Sequence, residues 1–396
     1  MGASHVAVVG AVAGHAVDRY AAACREHGHR PVFVGRPGEA LAGYDRIEVP
    51  SLAVPPEDLA KLMTPYAPVA VVPGGELAVP VADRIAAVLG LPHNPVDRLA
   101  VYRDKDAMRA AFAAHGVPQP TVYASFSSAQ KATEFDWSGV RFPVIVKPVD
   151  GAASYFVTRC ETSAEVLRVL PGVFGHRRSE ATGLPFRGSA LVEEFVDGPE
   201  YGAHCIVSEG RVRKVFVVSK FLSEPPHFDE MAYMCAIGLP SSVHAEIVSI
   251  LQSVANAYQV RATVLHADFK LTDGPDSGPR IIEVGNRVAG DRISELVELR
   301  HGWNLEEVMV LSRVGVPYSA AHHPERAGHW AAYGIKFFFD EEPPPSVPAG
   351  VTLIRGEWTD NYQSPDNASQ RHVSHRTGYR LVGADAPTVL GAYLAG

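Results

Sequence analysis

Hydrophobic positions along this chain switch between two periods, and the period predicts the element. His5-Val-Ala-Val-Val9 is a short continuous apolar run, the mark of a strand buried on both faces. Gly10 and Gly14 follow, then a helical pattern to about His27. Arg30-Pro-Val-Phe-Val34 and Val69-Ala-Val-Val72 repeat the strand pattern. The second ends at Pro73-Gly-Gly-Glu76 and leads into a helix over 80–89. Such strand–helix units predict a parallel, doubly wound sheet over residues 1–100. Tyr102, Met108, Ala111 and Phe112 recur at helical spacing, which predicts a helix over 101–115 stopped by Gly116-Val-Pro118. Residues 101–190 combine this helix with apolar strand runs and a helix near 163–170. Residues 191–320 are strand-rich, with helices at 241–258 and near 303–314. A last segment, 321–396, holds the proline-rich turn Glu342 to Pro348. The class is α/β and α+β.

Within this pattern, some strands carry charge where burial disfavours it. Phe142-Pro-Val-Ile-Val-Lys147 is an apolar run closed by a lysine, and Asp150-Gly-Ala-Ala-Ser154 after it is a loop of small residues. A fixed cation beside backbone N–H groups that an anion can approach suits a polyphosphate. The bland alternative is a lysine snorkelling at a strand end. Lys105 lies on a helix among charges and alone reads as a surface lysine. Ala190-Leu-Val-Glu193-Glu194-Phe-Val196-Asp-Gly-Pro-Glu200 reads as strand, linker and second strand. Its linker backbone suits a purine edge and Glu200 suits ribose hydroxyls; the alternative is an exposed acidic turn. The strongest pattern is Leu265-His266-Ala-Asp268-Phe-Lys270-Leu271, where period-two spacing puts His266, Asp268 and Lys270 on one face. Arg280-Ile-Ile-Glu283 returns antiparallel, which brings Asp268 and Glu283 opposite each other. Two facing carboxylates on an apolar hairpin call for a divalent cation, and all-oxygen donors suggest Mg²⁺ or Mn²⁺. Arg287, just beyond, suits a phosphate or carboxylate. The alternative for the hairpin is cross-strand ion pairing, for example Asp268 with Arg280.

Composition narrows the partners. The chain has 396 residues, 46% of them hydrophobic, enough for several subdomain cores. Net charge is −8 with no Lys/Arg-rich patch, which disfavours nucleic acid. The four cysteines lack metal or disulfide spacing, no apolar run reaches membrane-span length, and Val6 to Val17 lacks a basic flank. A cytoplasmic protein is the expectation. Gly10-Ala-Val-Ala-Gly14 misses the middle glycine of a dinucleotide fingerprint, so NAD is disfavoured. Neither a P-loop nor a nucleophile elbow occurs, and the 17 histidines form no metal motif.

In order and spacing, these elements resemble the ATP-grasp superfamily of carboxylate–amine ligases, from the first strand to about residue 300. The resemblance implies a doubly wound N-terminal α/β domain, a small lid domain and a larger antiparallel-sheet domain. It implies that Lys105 and Lys147 bind ATP phosphates, with Ser154 in the closing loop. Glu193, Glu194 and Val196 match the adenine hinge and Glu200 the ribose acid. Asp268 and Glu283 match the Mg²⁺ (or Mn²⁺) carboxylates. Arg287, with Lys147, matches the catalytic cations. Lys220 to Tyr233 resembles the substrate-side segment of the L-amino acid ligases, which join two amino acids into a dipeptide. There the resemblance implies that His227, Arg287 and Gly290 face substrate and that Glu230 faces substrate or metal. The implied reaction joins a small carboxylate, by resemblance an amino acid, to an amine through an acyl phosphate, releasing ADP and phosphate. By the same resemblance a homodimer and a setting in secondary metabolism are expected. The alternatives are a carboxylase-like or cyclo-ligase member, and a non-catalytic ATP sensor. The chain departs from the pattern in places. Ala153 and Phe156 stand at glycine positions of the loop, which stiffens it. Asp268 is a methylene shorter than the usual glutamate. Gly285 replaces an asparagine, and Asn286 is shifted by one, which reverses its face.

Overall fold

A computed structural model describes residues 4–11, 14–38, 41–152, 154–224, 228–236, 238–274, 277–339, 346–358 and 376–396. The expected first domain forms. Strands β1 (His5–Val9), β2 (Arg30–Gly35), β3 (Asp45–Glu48) and β4 (Pro68–Pro73) make an all-parallel sheet in the order β3-β2-β1-β4. Helices α1 (Gly14–Glu26) and α2 (Pro56–Met63) lie in the connections β1 to β2 and β3 to β4, and α3 (Val79–Val88) follows β4. Val6 to Val9 are wholly buried, as a continuous apolar run in a covered sheet requires.

The helix expected over 101–115 is two pieces. A 3₁₀ segment, Val96–Tyr102, ends at Arg103, and α4 (Lys105–Ala114) starts afresh. Asp104 causes the break. Its extended backbone and its side chain, which accepts from the Ala107 N–H at 3.1 Å, cap the new helix. Lys105 therefore sits in the first turn, and its backbone N–H is tied to Val149 O at 2.8 Å.

The lid is a four-stranded antiparallel sheet ordered β5-β8-β6-β7, from β5 (Val122–Phe126), β6 (Val144–Pro148), β7 (Thr158–Cys160) and β8 (Ala190–Glu194). Helices α5 (Ala129–Thr133) and α6 (Ser163–Gly175) cover one face. Val144, Val146, Val166, Leu170 and Val173 give it a core of its own.

The third unit is an eight-stranded sheet. It begins with β9 (Glu200–Ser208), β10 (Arg211–Leu222), β11 (Glu230–Cys235), helix α7 (Ser241–Tyr258), β12 (Thr263–Thr272) and β13 (Gly278–Gly285). Helices α8 (Ile293–His301) and α9 (Leu305–Val314) follow, then β14 (Ala332–Phe338), β15 (Thr352–Trp358), β16 (Gly378–Ala384) and α10 (Pro387–Ala395). Its order is β13-β12-β9-β10-β11-β14-β16-β15. The segment expected from 321 onward thus continues the central sheet, through β14 paired antiparallel to β11. One core joins this unit to the first domain, with Tyr20, Cys24 and Phe33 in the same cluster as Leu305, Met309 and Ile335. The lid is the unit with a separate core, and the site lies where it meets the other two.

Candidate active site

A cavity of about 300 Å³ is lined by residues of all three units. Its floor is the β12–β13 hairpin. Asp268 and Glu283 stand directly opposite, as expected, and the register slips just after them to Phe269 opposite Ile281. Ile282 is therefore an extra residue on β13, a β-bulge. Strict alternation would turn Ile282 and Glu283 to opposite faces. With the bulge, both line the cavity, followed by Gly285 and Arg287. An apolar wall and a carboxylate thus come from consecutive residues. Arg109 of α4 satisfies the bulge: its Nη2 donates to Ile282 O at 2.7 Å and its Nη1 to Ile281 O at 3.3 Å. Asn286 points the other way, fully buried, and its Oδ1 accepts from Thr263 Oγ1 at 2.7 Å.

The cations of the site all meet carboxylates. Lys105 Nζ lies 2.8 Å from Glu283 Oε1 and donates to Gly151 O at 2.9 Å. Burial pushes the Glu283 carboxyl up, but Lys105 and Lys147 outweigh it and hold it at about 2. Lys147 pairs with Glu193, whose other oxygen takes Arg109 Nε at 3.0 Å and Nη2 at 2.9 Å. These three side chains are almost wholly buried. Burial lowers the Lys147 pKa, only partly offset by Glu193; burial raises that of Glu193, but Arg109 and Lys147 bring it below the usual range. Lys220 bridges Glu200 at 2.8 Å and Asp268 at 3.0 Å, with Glu230 at 3.9 Å. Those acids outweigh burial and hold its ammonium well above the usual lysine range. Asp268 thus pairs with Lys220 rather than with Arg280. Arg287 Nε donates to Glu76 Oε2 at 2.6 Å. Glu76 comes from the loop after β4, and Gly285 makes room for it: a Cβ there would stand 2.5 Å from that oxygen.

The other residues singled out in the sequence divide as follows. Ser154, Val196, Glu200, Glu230 and Gly290 line the cavity together with Lys105, Lys147, Asp268, Glu283 and Arg287. Ser154 Oγ donates to Glu230 Oε1 at 3.3 Å, a contact from lid to central sheet. Glu193 and Glu194 also reach the lining, but their carboxylates are engaged elsewhere, Glu193 with the two cations and Glu194 with the Thr121 N–H at 2.9 Å. His227 and Ala153 lie outside the described residues. Phe156 has φ +58° and Ser154 φ +54°, the left-handed region that glycine enters freely. The Phe156 ring is held by Tyr155, with centroids 4.5 Å apart, and by His176, at 5.4 Å.

Sequence reasoning gave no site role to Glu76, Arg109, Asp291 or Arg376, and took Lys220 only as the start of the substrate-side segment. Glu76 had a signal, since it follows a strand end of a parallel sheet, where ligand sites gather. Lys220 had one in its place at the end of a long strand. Arg109 and Arg376 had none.

The donor set fits a nucleotide–metal pair. Lysines at 105, 147 and 220 and Arg287 surround two facing carboxylates, beside an apolar recess of Ile145, Phe195, Val196 and Ile282. Among the described residues no group of three or more metal-ligating side chains is gathered. Two carboxylates suffice for Mg²⁺, which takes its remaining ligands from phosphates and water. Among the described residues no helix is long and apolar enough to cross a membrane.

Residues 140–295 match the model of the ATP-grasp domain. The chain is 27% identical over 223 residues to protein y4rH of Sinorhizobium fredii, covering 54% of this chain and 42% of that protein. It is 25% identical over 182 residues to carnosine synthase 1 of Gallus gallus, covering 45% of this chain and 19% of that one. The chain thus spans less than half the length of these relatives. Among solved structures, the L-amino acid ligase of Bacillus licheniformis superposes with a TM-score of 0.75 at 18% identity, over 99% of this chain and 96% of that one.

Proposed function

We propose that this chain, whose residues 140–295 match the ATP-grasp domain and whose fold is that of an L-amino acid ligase, is an ATP-dependent ligase that joins a small carboxylate to an amine. The observation that carries this reading is the bulged hairpin. It aims Glu283, Gly285 and Arg287 into one cavity opposite Asp268, with Lys105 and Lys147 above them. The names of a relative, a carnosine synthase, and of a fold neighbour, an L-amino acid ligase, support amino acids as substrates.

The reaction runs in two displacements. A carboxylate oxygen of the first substrate attacks the γ-phosphorus of ATP, the bond to the bridging oxygen breaks, and ADP leaves. The amine nitrogen of the second substrate then attacks the acyl carbon, the carbon–oxygen bond to phosphate breaks, and the amine gives up a proton. Phosphoryl transfer needs mainly positioning and charge neutralisation. Lys105 and Lys147 hold phosphate oxygens, and Arg287, oriented by Glu76, faces the transferred group and the tetrahedral intermediate. Asp268 and Glu283 would hold Mg²⁺, which would supply charge neutralisation for the polyphosphate. The loop around Ser154 keeps water from the acyl phosphate. The test is nucleotide and phosphate release with mixed amino acids. ADP and phosphate, formed only when an amine is present, are expected; AMP as the product, or nucleotide binding without turnover, overturns the reading.

A further inference from the structure

The lid has a core of its own, and its two chain connections run side by side, Glu194 N–H donating to Thr121 O at 2.8 Å. Such a junction is a hinge. A separate contact ties the lid to the first domain. Between α6 and β8 the chain leaves the lid as an arm, residues 176–187, folded back so that Arg178 bridges Pro185. The tip of the arm lies on the first domain. Leu52 N–H donates to Thr182 O and Ser51 Oγ to Gly183 O, both at 2.8 Å. Leu184 packs against the first domain's core cluster, which includes Leu52 and Leu59. Gly183 permits this approach: its φ is +72°, and a Cβ there would stand 2.7 Å from Ser51 Oγ. The tip is braced from within, Gly183 N–H donating to Ser179 O at 2.8 Å and Arg178 Nη1 to Gly183 O at 2.9 Å.

The base of the same arm holds the loop that carries Ser154. His176 and Phe186 stack there with ring centroids 4.5 Å apart. His176 in turn meets Tyr155 at 4.7 Å and Phe156 at 5.4 Å. The Phe156 ring sits in a notch of α6: a Cβ on Gly172 would stand 3.1 Å from its Cε1. Arg187, the last residue of the arm, donates its backbone N–H to Asp150 Oδ2 at 2.9 Å, and its guanidinium pairs with Asp104, the cap of α4. Docked tip, arm and loop thus form one packed series that ends at Ser154 on the cavity wall. Its far end is held by two hydrogen bonds and one leucine, few enough to open and reseal during turnover. Resting on the reading of the cavity as a nucleotide site, we propose that the arm is a latch: docked on the first domain, it holds the Ser154 loop over the phosphate site, and nucleotide enters and leaves while the tip is undocked. His176 and Phe186 are positioning residues for that loop. Ser51, Leu52, Thr182, Gly183 and Leu184 do not line the cavity, so a change at the tip reaches the nucleotide through the latch.

A gate slows arrival and departure alike, and stopped-flow fluorescence with N-methylanthraniloyl-ADP and Mg²⁺ reads both on the full chain. Leu184→Asp puts a charge into the apolar contact. Its association and dissociation rate constants are both expected to rise by about tenfold, the worth of one buried apolar contact, so that Kd changes less than either rate. Ser51→Ala removes one hydrogen bond and little packing, and should move both rates the same way by about threefold. Hydrogen exchange at the Leu52 amide reports docking independently of the nucleotide: slow in the wild type, faster in each variant in the order of its rate effect. Unchanged rates in a variant whose Leu52 amide has lost protection overturn the latch and leave the nucleotide site standing. So does a faster dissociation with unchanged association, which marks a distorted site instead of an opened gate. Failure of the wild type to bind the fluorescent ADP or ADP itself overturns both the latch and the nucleotide reading.

Discussion

Glu193, which the resemblance assigns to the adenine hinge, instead holds the cations Lys147 and Arg109. It is 2% exposed and is the counter-charge of both Lys147 and Arg109. A buried pair contributes little net stability, but removing one partner leaves the other charge stranded. Here a single substitution strands two cations. Glu193→Gln is expected to lower unfolding stability by about 3–5 kcal/mol in denaturant titrations. Lys147→Met should behave oppositely: Glu193 keeps Arg109, so stability changes little, while ADP affinity falls. Equal stability losses in the two variants would show that Glu193 does not hold the pair together. Arg109 links this triad to the bulge carbonyls of β13, so the lysine and the carboxylate hairpin are set by one side chain.

At the scale of elements, two short irregularities shape the site more than any regular segment. The break at Arg103–Asp104 puts Lys105 at the start of α4, from where its ammonium reaches Gly151 O and Glu283. Asp104→Ala removes the cap and is expected to cost about 1 kcal/mol. It should also raise KM for ATP, because Lys105 then rests on a frayed turn. A lower melting temperature with unchanged KM would separate the cap from the site. The bulge at Ile282 is the second irregularity. These two features mark the limit of what the sequence made legible. Alternation along β12 and the facing of Asp268 and Glu283 could be read from period-two spacing, since one face of that hairpin is core. The bulge could not, because it is held by Arg109 and by Pro118, whose carbonyl takes the Ile281 N–H, and these partners are distant in sequence. The helix break was misread because apolar spacing continues across Asp104, although aspartate before a helical run is a cap signal. Arg376 follows a long polar segment, and nothing local marks it as the clamp on Asp291, whose carboxylate it grips at 2.6 and 3.2 Å.

Across the whole molecule, the cations of the site are paired internally with carboxylates. Glu76 from the first domain holds Arg287, Glu283 holds Lys105, Glu193 of the lid holds Lys147, and Asp268 holds Lys220. In the proposed reaction a triphosphate would take these cations, and a metal ion two of these carboxylates. Either one alone must break ion pairs and leave a buried group without its partner. On the proposed reading, both together would exchange partners, carboxylates turning to metal and lysines to phosphate. Nucleotide and metal therefore couple through the protein as well as through their complex in solution, and such coupling is reciprocal. Glu283→Gln separates the two contributions. It frees Lys105, so metal-free ADP should bind more tightly than to the wild type, by about tenfold for one released charge-assisted contact. The same variant should lose most of the further gain that Mg²⁺ gives the wild type, and with it turnover. Calorimetric titration of ADP with and without Mg²⁺ reads both effects. If metal-free ADP binds the variant no better than the wild type, Glu283 does not compete for Lys105, and the paired network is not what ties metal to nucleotide.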